Sequence, residues 1–253
     1  MVKYFYTEDG QKSSGHLKEL FFRLIIGNGK EIFMMSDKKD NIFIYGLIGA
    51  GYLLFCSALP SILAMNYAPL WGFEINAIYA PLSFVTGVVY MILIFALMGE
   101  KMEIFARFSL KGLGEAMITA FILFVVINFA VSPLLSILFP ASAGNYDNNM
   151  TDMMSTPVAT FFQVAFIAPL FEELIFRGLI LKRALRKWNS AAGVIMTAAL
   201  FGILHMSVVQ GLSAAAAGLL LSMFYVRRKS VGLNILAHGI YNGMVFGLAL
   251  LIY

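Results

Sequence analysis

The chain has 253 residues, 60% of them hydrophobic and only 13% charged, with a mean hydropathy of +0.82. Soluble domains average about 45–50% apolar and about 25% charged residues, so this composition excludes an ordinary soluble fold and predicts an all-α, polytopic membrane helix bundle. The formal net charge of +4 is no nucleic-acid footprint, because the basic residues lie between apolar runs. The bilayer is the expected partner, and no nucleic acid is. A single cysteine, Cys56, excludes an intramolecular disulfide and C-x-x-C metal chemistry.

Residues 1–40 are polar and lack the apolar core of a signal peptide. They are expected to form a cytosolic or interfacial extension, with 17–35 either lying on the inner membrane surface or forming a short cytosolic helix. Residues 41–253 then read as one membrane-embedded domain. A span needs about 20 apolar residues, and the runs that qualify or approach this are 42–65, 75–98, 115–138, 157–180, 191–209, 211–226 and 231–253. The sixth is short, but Gly211, Ala214 to Ala217 and Gly218 would let a neighbouring helix approach closely. The fifth and sixth adjoin and predict a tight hairpin or one interrupted element.

Seventeen of the eighteen Lys and Arg fall before the first run, in 99–114, in 181–190 or in 227–230. The intervening segments 66–74 and 139–156 and the fifth-to-sixth junction have none. By the positive-inside rule this alternation predicts seven spans with a cytoplasmic N-terminus. An eighth is possible only if 17–35 enters the bilayer.

The remaining basic residue is Arg177, inside the fourth run beside Glu172 and Glu173 in the string APLFEELIFRG. A charge at the bilayer centre costs about 2.5–3.5 kcal/mol on insertion scales, so three such groups must be paired, hydrated or catalytic. His205 and His238 complete the ionisable set inside the runs, and Asn242 joins them as an interior amide. Glu173 and Arg177 are i and i+4, which places them on one face as an ion pair. Glu172 is turned by about 100° from Glu173 and can point into a cavity. His238 and Asn242 also share a face, with Gly239 and Gly243 beside them to admit another helix. Pro169 deprives the carbonyl of Ala165 of its helical partner and predicts a kink that makes room for water. Helical rise puts Glu172 roughly 15 Å from Lys182 and His238 roughly 12 Å from Ser230, so both lie at one depth below the basic face. His205 comes out deeper if its helix starts at Ala191, so either that helix starts later or it is tilted.

The ordered triple Glu172-Glu173-x-x-x-Arg177, Phe201-x-x-x-His205 and His238-x-x-x-Asn242 resembles the CPBP family, the CAAX-prenyl-protease and bacteriocin-processing (Abi) intramembrane proteases. The resemblance covers about residues 155–245; before that, only hydropathy is shared. It implies a membrane endopeptidase whose site opens to the cytosol. It also implies that Glu172 is the catalytic glutamate, that His205 assists in activating water, and that His238 and Asn242 stabilise the oxyanion. Glu173 and Arg177 are then structural support.

The residues are chemically sufficient for this. Peptide hydrolysis needs an activated water, a base and oxyanion donors, and no Ser or Cys nucleophile accompanies the group, so no acyl-enzyme is expected. No cofactor is expected. The chemical alternative is Zn²⁺ held by Glu172, His205 and His238 with an open position for water, although H-E-x-x-H is missing. For Glu173–Arg177 the structural salt bridge is the favoured reading, and Phe201 reads as packing. Two non-enzymatic classes compete: a bacteriocin-immunity protein or peptide-binding scaffold, and a proton-coupled transporter. The latter is disfavoured by the lack of inverted repeats. The expected partner is a membrane-associated peptide or protein (CAAX-type, leader, pheromone or bacteriocin), and compact size with no sorting signal points to a bacterial plasma membrane. Oligomeric state is not legible.

Overall fold

The structure, a computed structural model, describes residues 40–252. The segment 17–35 and nearly all of the expected extension lie outside the described residues. Helix is the regular structure of the described residues, with no strand among them. Eight helices follow in chain order: α1 Ile42–Trp71, α2 Ile75–Met98, α3 Leu110–Leu138, α4 Pro140–Met154, α5 157–187, α6 Ser190–Ile203, α7 Val208–Arg228 and α8 Val231–Ile252.

Five of these, α1, α2, α3, α7 and α8, are long and apolar enough to cross a membrane. Helix α6 is apolar but has only 14 residues, and α5 carries the three ionisable groups. Many of the exposed side chains are large and apolar, among them Leu47, Ile62, Val85, Ile92, Phe121 and Leu212. A lipid-facing surface accounts for them, whereas a water-facing one would not.

Polar side chains cap three of the helix starts. Asn41 accepts from the Ile44 amide at 2.8 Å, Ser109 from Gly112 at 3.0 Å and Asn189 from Ala192 at 2.9 Å. Three helices also widen by one residue into a π turn, at Leu54–Ala58, Ile127–Val131 and Gln163–Ile167. A proline follows each turn two residues later: Pro60, Pro133 and Pro169. Proline has no N–H and its ring crowds the carbonyl four residues back, and the wider turn relieves both conflicts.

Helix α5 is the axis of the bundle. Its segment Leu174–Leu181, a second and longer π stretch, is buried at every residue. Phe171, Ile175, Phe176 and Leu179 join Tyr45 and Ile48 of α1 and Tyr90, Met91 and Phe95 of α2 in the main core. A smaller core of Leu123, Ile127, Leu221, Phe224 and Leu233 ties α3, α7 and α8. The hairpin α6–α7 packs closely: a Cβ on Gly202 would stand 2.5 Å from the Gly211 carbonyl oxygen, and Gly218 lies against Phe201 and Ala198. The small-residue stripe therefore works as expected.

The basic helix ends gather on one face. Arg183 donates to Asp40 at 2.5 Å and to the Met98 carbonyl at 2.9 Å. Glu100 pairs with Arg183, Arg186 and Lys182, and Glu115 with Arg227 and Arg228. Burial raises the Glu100 carboxyl pKa, but Arg186 and Lys182 lower it further and hold it below its usual value.

Three sequence expectations need correction. The segment 139–156, expected as a loop, contains the polar helix α4, which starts at Pro140 and docks through Ser142 onto Ser207 and the Val209 amide. The junction of the fifth and sixth runs falls at 204–207, not near 210. His205 therefore lies in a turn rather than inside a helix. The His205 amide bonds to the Gly202 carbonyl at 3.0 Å, and Met206 is left-handed at φ 56°. Hydropathy could not place this turn, because it has apolar residues on both sides and contains neither Gly nor Pro.

Candidate active site

The polar cluster forms where α5, α8 and the α6–α7 turn meet. Glu173 is fully buried and holds three helix-borne donors: Arg177 Nη1 at 2.7 Å and His238 Nδ1 at 2.8 Å on Oε1, and Asn234 Nδ2 at 3.2 Å on Oε2. Arg177 is equally buried. Its Nη2 donates to the Gly218 carbonyl at 3.0 Å, and its guanidinium carbon lies 5.0 Å from the centre of the Phe201 ring. The expected ion pair is present, and it ties α5 to both α7 and α8.

Glu172, one residue earlier, faces elsewhere. Its Oε1 accepts from the Tyr52 hydroxyl at 2.9 Å, and its Oε2 lies 3.8 Å from His238 Nε2. The His238 ring thus spans the two glutamates. A carboxylate can only accept, so the Glu173 contact places a proton on Nδ1 and directs Nε2 towards Glu172. His205 is oriented by the same logic. Its Nδ1 is 2.8 Å from the Phe201 carbonyl oxygen, which also only accepts, so in the neutral ring Nε2 keeps its lone pair.

Two cavities meet at this cluster. One, of about 350 Å³, has Glu172, Tyr52, His205 and Phe201 in its wall. The other, of about 430 Å³, has His238, Asn242, His205 and Phe201. Phe201 and His205 form the shared partition. Phe201 is packing, as expected: it meets Phe176 and His205 edge-on, each at 4.9 Å between ring centres.

Asn242 sits one turn beyond His238, and its Nδ2 donates to the Val164 carbonyl at 2.8 Å. That oxygen is free because of the π turn: the Ala168 amide reaches back to Gln163, and Pro169 has no amide to offer. Gly239 makes this approach possible, since a Cβ there would stand 2.6 Å from the Ala165 backbone oxygen. Gly239→Ala is accordingly expected to push α8 away from α5. The expected cost is about 1–3 kcal/mol in a thermal-unfolding assay in detergent, together with loss of activity. Gly243 has no comparable contact.

The structure therefore brings Glu172, Glu173, Arg177, His205 and His238 into one cluster and places Asn242 at its edge. Sequence reasoning missed two contributors. Asn234 was visible as the first member of the i, i+4, i+8 series Asn234, His238, Asn242. Tyr52 had no signal, because nothing distinguishes it from the other aromatic residues of an apolar run 120 positions away. For a metal, Glu172, His205 and His238 would have to converge; among the described residues no three His, Cys, Asp or Glu side chains form such a group. Glu173 already engages His238 Nδ1 and leaves only Nε2 for any such ligation.

Residues 154–244 match the family described as type II CAAX prenyl endopeptidase, Rce1-like. This is the segment that carries all three motifs. No curated protein and no solved structure matches the chain.

Proposed function

We propose, from that match and from the arrangement of the cluster, that this integral membrane protein is an intramembrane endopeptidase using glutamate-activated water. The observation that carries the reading is the division of labour between adjacent carboxylates: Glu173 is wholly engaged by its partners, while Glu172 faces a cavity that also holds His205. In this reading Glu172 takes a proton from water. His205 fixes that water through Nε2. His238, oriented by Glu173, presents Nε2 to the developing oxyanion from beside Glu172 and must carry a proton there to donate. Asn242 has one N–H on Val164 and a second to offer to the oxyanion. Tyr52 holds Glu172 in its rotamer.

The substrate in this reading is a membrane-associated peptide or protein, with CAAX, leader, pheromone and bacteriocin peptides as the chemical candidates. Catalysis proceeds without a metal. The membrane is a bacterial plasma membrane. The test compares the peptides released by cells carrying the wild type, His205→Ala or no gene, read by mass spectrometry, with substrate binding measured in parallel. The expected result is that His205→Ala binds the peptide and releases about 10²–10⁴-fold less product. Normal processing by His205→Ala would leave an immunity protein or scaffold as the better account. Stoichiometric zinc whose removal stops cleavage would replace the metal-free mechanism.

A further inference from the structure

The resemblance implied a site open to the cytosol, but the walls of both cavities run the other way. From Glu172 and His205 the first cavity extends to Asn76 and Met153, at the start of α2 and the end of α4. From His238 the second extends to Ser136, Ala143 and Ile252, at the ends of α3, α4 and α8. These belong to the face that joins α1 to α2, α3 to α5 and α6 to α7. Cross-contacts gather it into one surface: Asn76 donates to Thr156 at 2.8 Å, and Ser142 meets Ser207 at 3.2 Å. Its connecting segments 72–74, 139–156 and 204–207 contain no Lys or Arg.

The basic face is closed over the same cluster. All eight residues from Leu174 to Leu181 are buried, and Arg183 is buried below them with Asp40, Glu100 and the Met98 carbonyl around it. The recess on that side bordered by Lys101, Lys182 and Leu174 measures only about 20 Å³, room for about one water.

We infer that the substrate reaches Glu172 from the face opposite the basic loops, which the positive-inside rule makes the extracytoplasmic one. The inference rests on the endopeptidase reading for the word substrate, and it narrows the substrate class. The bond cleaved lies in a peptide segment presented on the outer side of the membrane, rather than in a cytosolic C-terminal tail. Two arms of water-sized space converge on His205 from that side, and a buried helix segment separates it from the other.

Cysteine accessibility in the full-length protein tests this without any assay of cleavage. In a Cys56→Ala background, Ser57→Cys reports from the first cavity, Val245→Cys from the second and Lys101→Cys from the exposed basic face. The probe is a small, permanently charged methanethiosulfonate, applied to intact cells and to inverted vesicles. Ser57→Cys and Val245→Cys are expected to be modified in intact cells and protected in inverted vesicles, with Lys101→Cys showing the reverse. Cavity cysteines that react only in inverted vesicles, together with Lys101→Cys, would overturn the inference. So would cavity cysteines that react from neither side, or a Lys101→Cys that reacts in intact cells. The endopeptidase reading stands or falls separately, on the product released by the His205 variant.

Discussion

Glu173→Ala is expected to lower the stability of the protein by about 3–5 kcal/mol, the cost of leaving a buried charge without its partner. Arg177 has no access to solvent, and without Glu173 its remaining close contacts are the Gly218 carbonyl and the face of Phe201. The loss spreads further, because the same carboxylate anchors His238 and Asn234 of α8. Glu173→Gln restores shape but not charge, so it too should unfold at lower temperature and lose activity. The control is the double variant Glu173→Gln with Arg177→Met. Removing both charges removes the desolvation penalty on each, so the double variant should be more stable than the two single losses added together predict. Activity should not return with it, because His238 has still lost the anion that orients it. Thermal unfolding in detergent reads the first effect and product release the second. Additive losses in stability would show that the pair is not the bridge between α5, α7 and α8 that its contacts indicate.

Glu172→Gln is expected to do the opposite: a folded protein with cleavage reduced by about 10²–10⁴-fold. The substituted amide still offers an oxygen to the Tyr52 hydroxyl, and the 3.8 Å approach to His238 is too long to count as a hydrogen bond. The folded state therefore loses little when this carboxylate is neutralised, whereas the water in the first cavity loses its base. An unchanged melting temperature with abolished product is the expected pair of results. A large drop in stability for Glu172→Gln, with a small one for Glu173→Gln, would exchange the roles assigned to the two residues.

Much of the site could be read from the chain because helical periodicity acts on local spacing. Glu173 and Arg177 had to share a face, as did His238 and Asn242, and both geometries are present. The depth argument also holds: Glu172 and His238, placed at one level by counting residues from two different loops, approach to 3.8 Å. The placement of His205 inside a helical run fails for the converse reason. It assumes that the helix continues to residue 209, and the helix stops at Ile203. The proline of α5 predicted a disturbance, but not its form. The disturbance is a π turn, and its freed carbonyl becomes the anchor of Asn242. Tyr52 could not be found at all, since its role depends on the packing of α1 against α5.

The sequence by itself determined that this is a membrane helix bundle, which residues are too costly to be there without a use, and which of them lie on common helical faces. Those properties follow from composition, charge placement and a period of 3.6 residues, all of them local. Only the tertiary structure decided which partner each group takes. It gave Glu173 three buried donors and left Glu172 on a cavity wall, and it set His238 between them. It also set the direction in which the cavities run. These depend on how α5 is enclosed by α1, α2, α7 and α8, and no spacing along one strand of sequence encodes the distance between two helices.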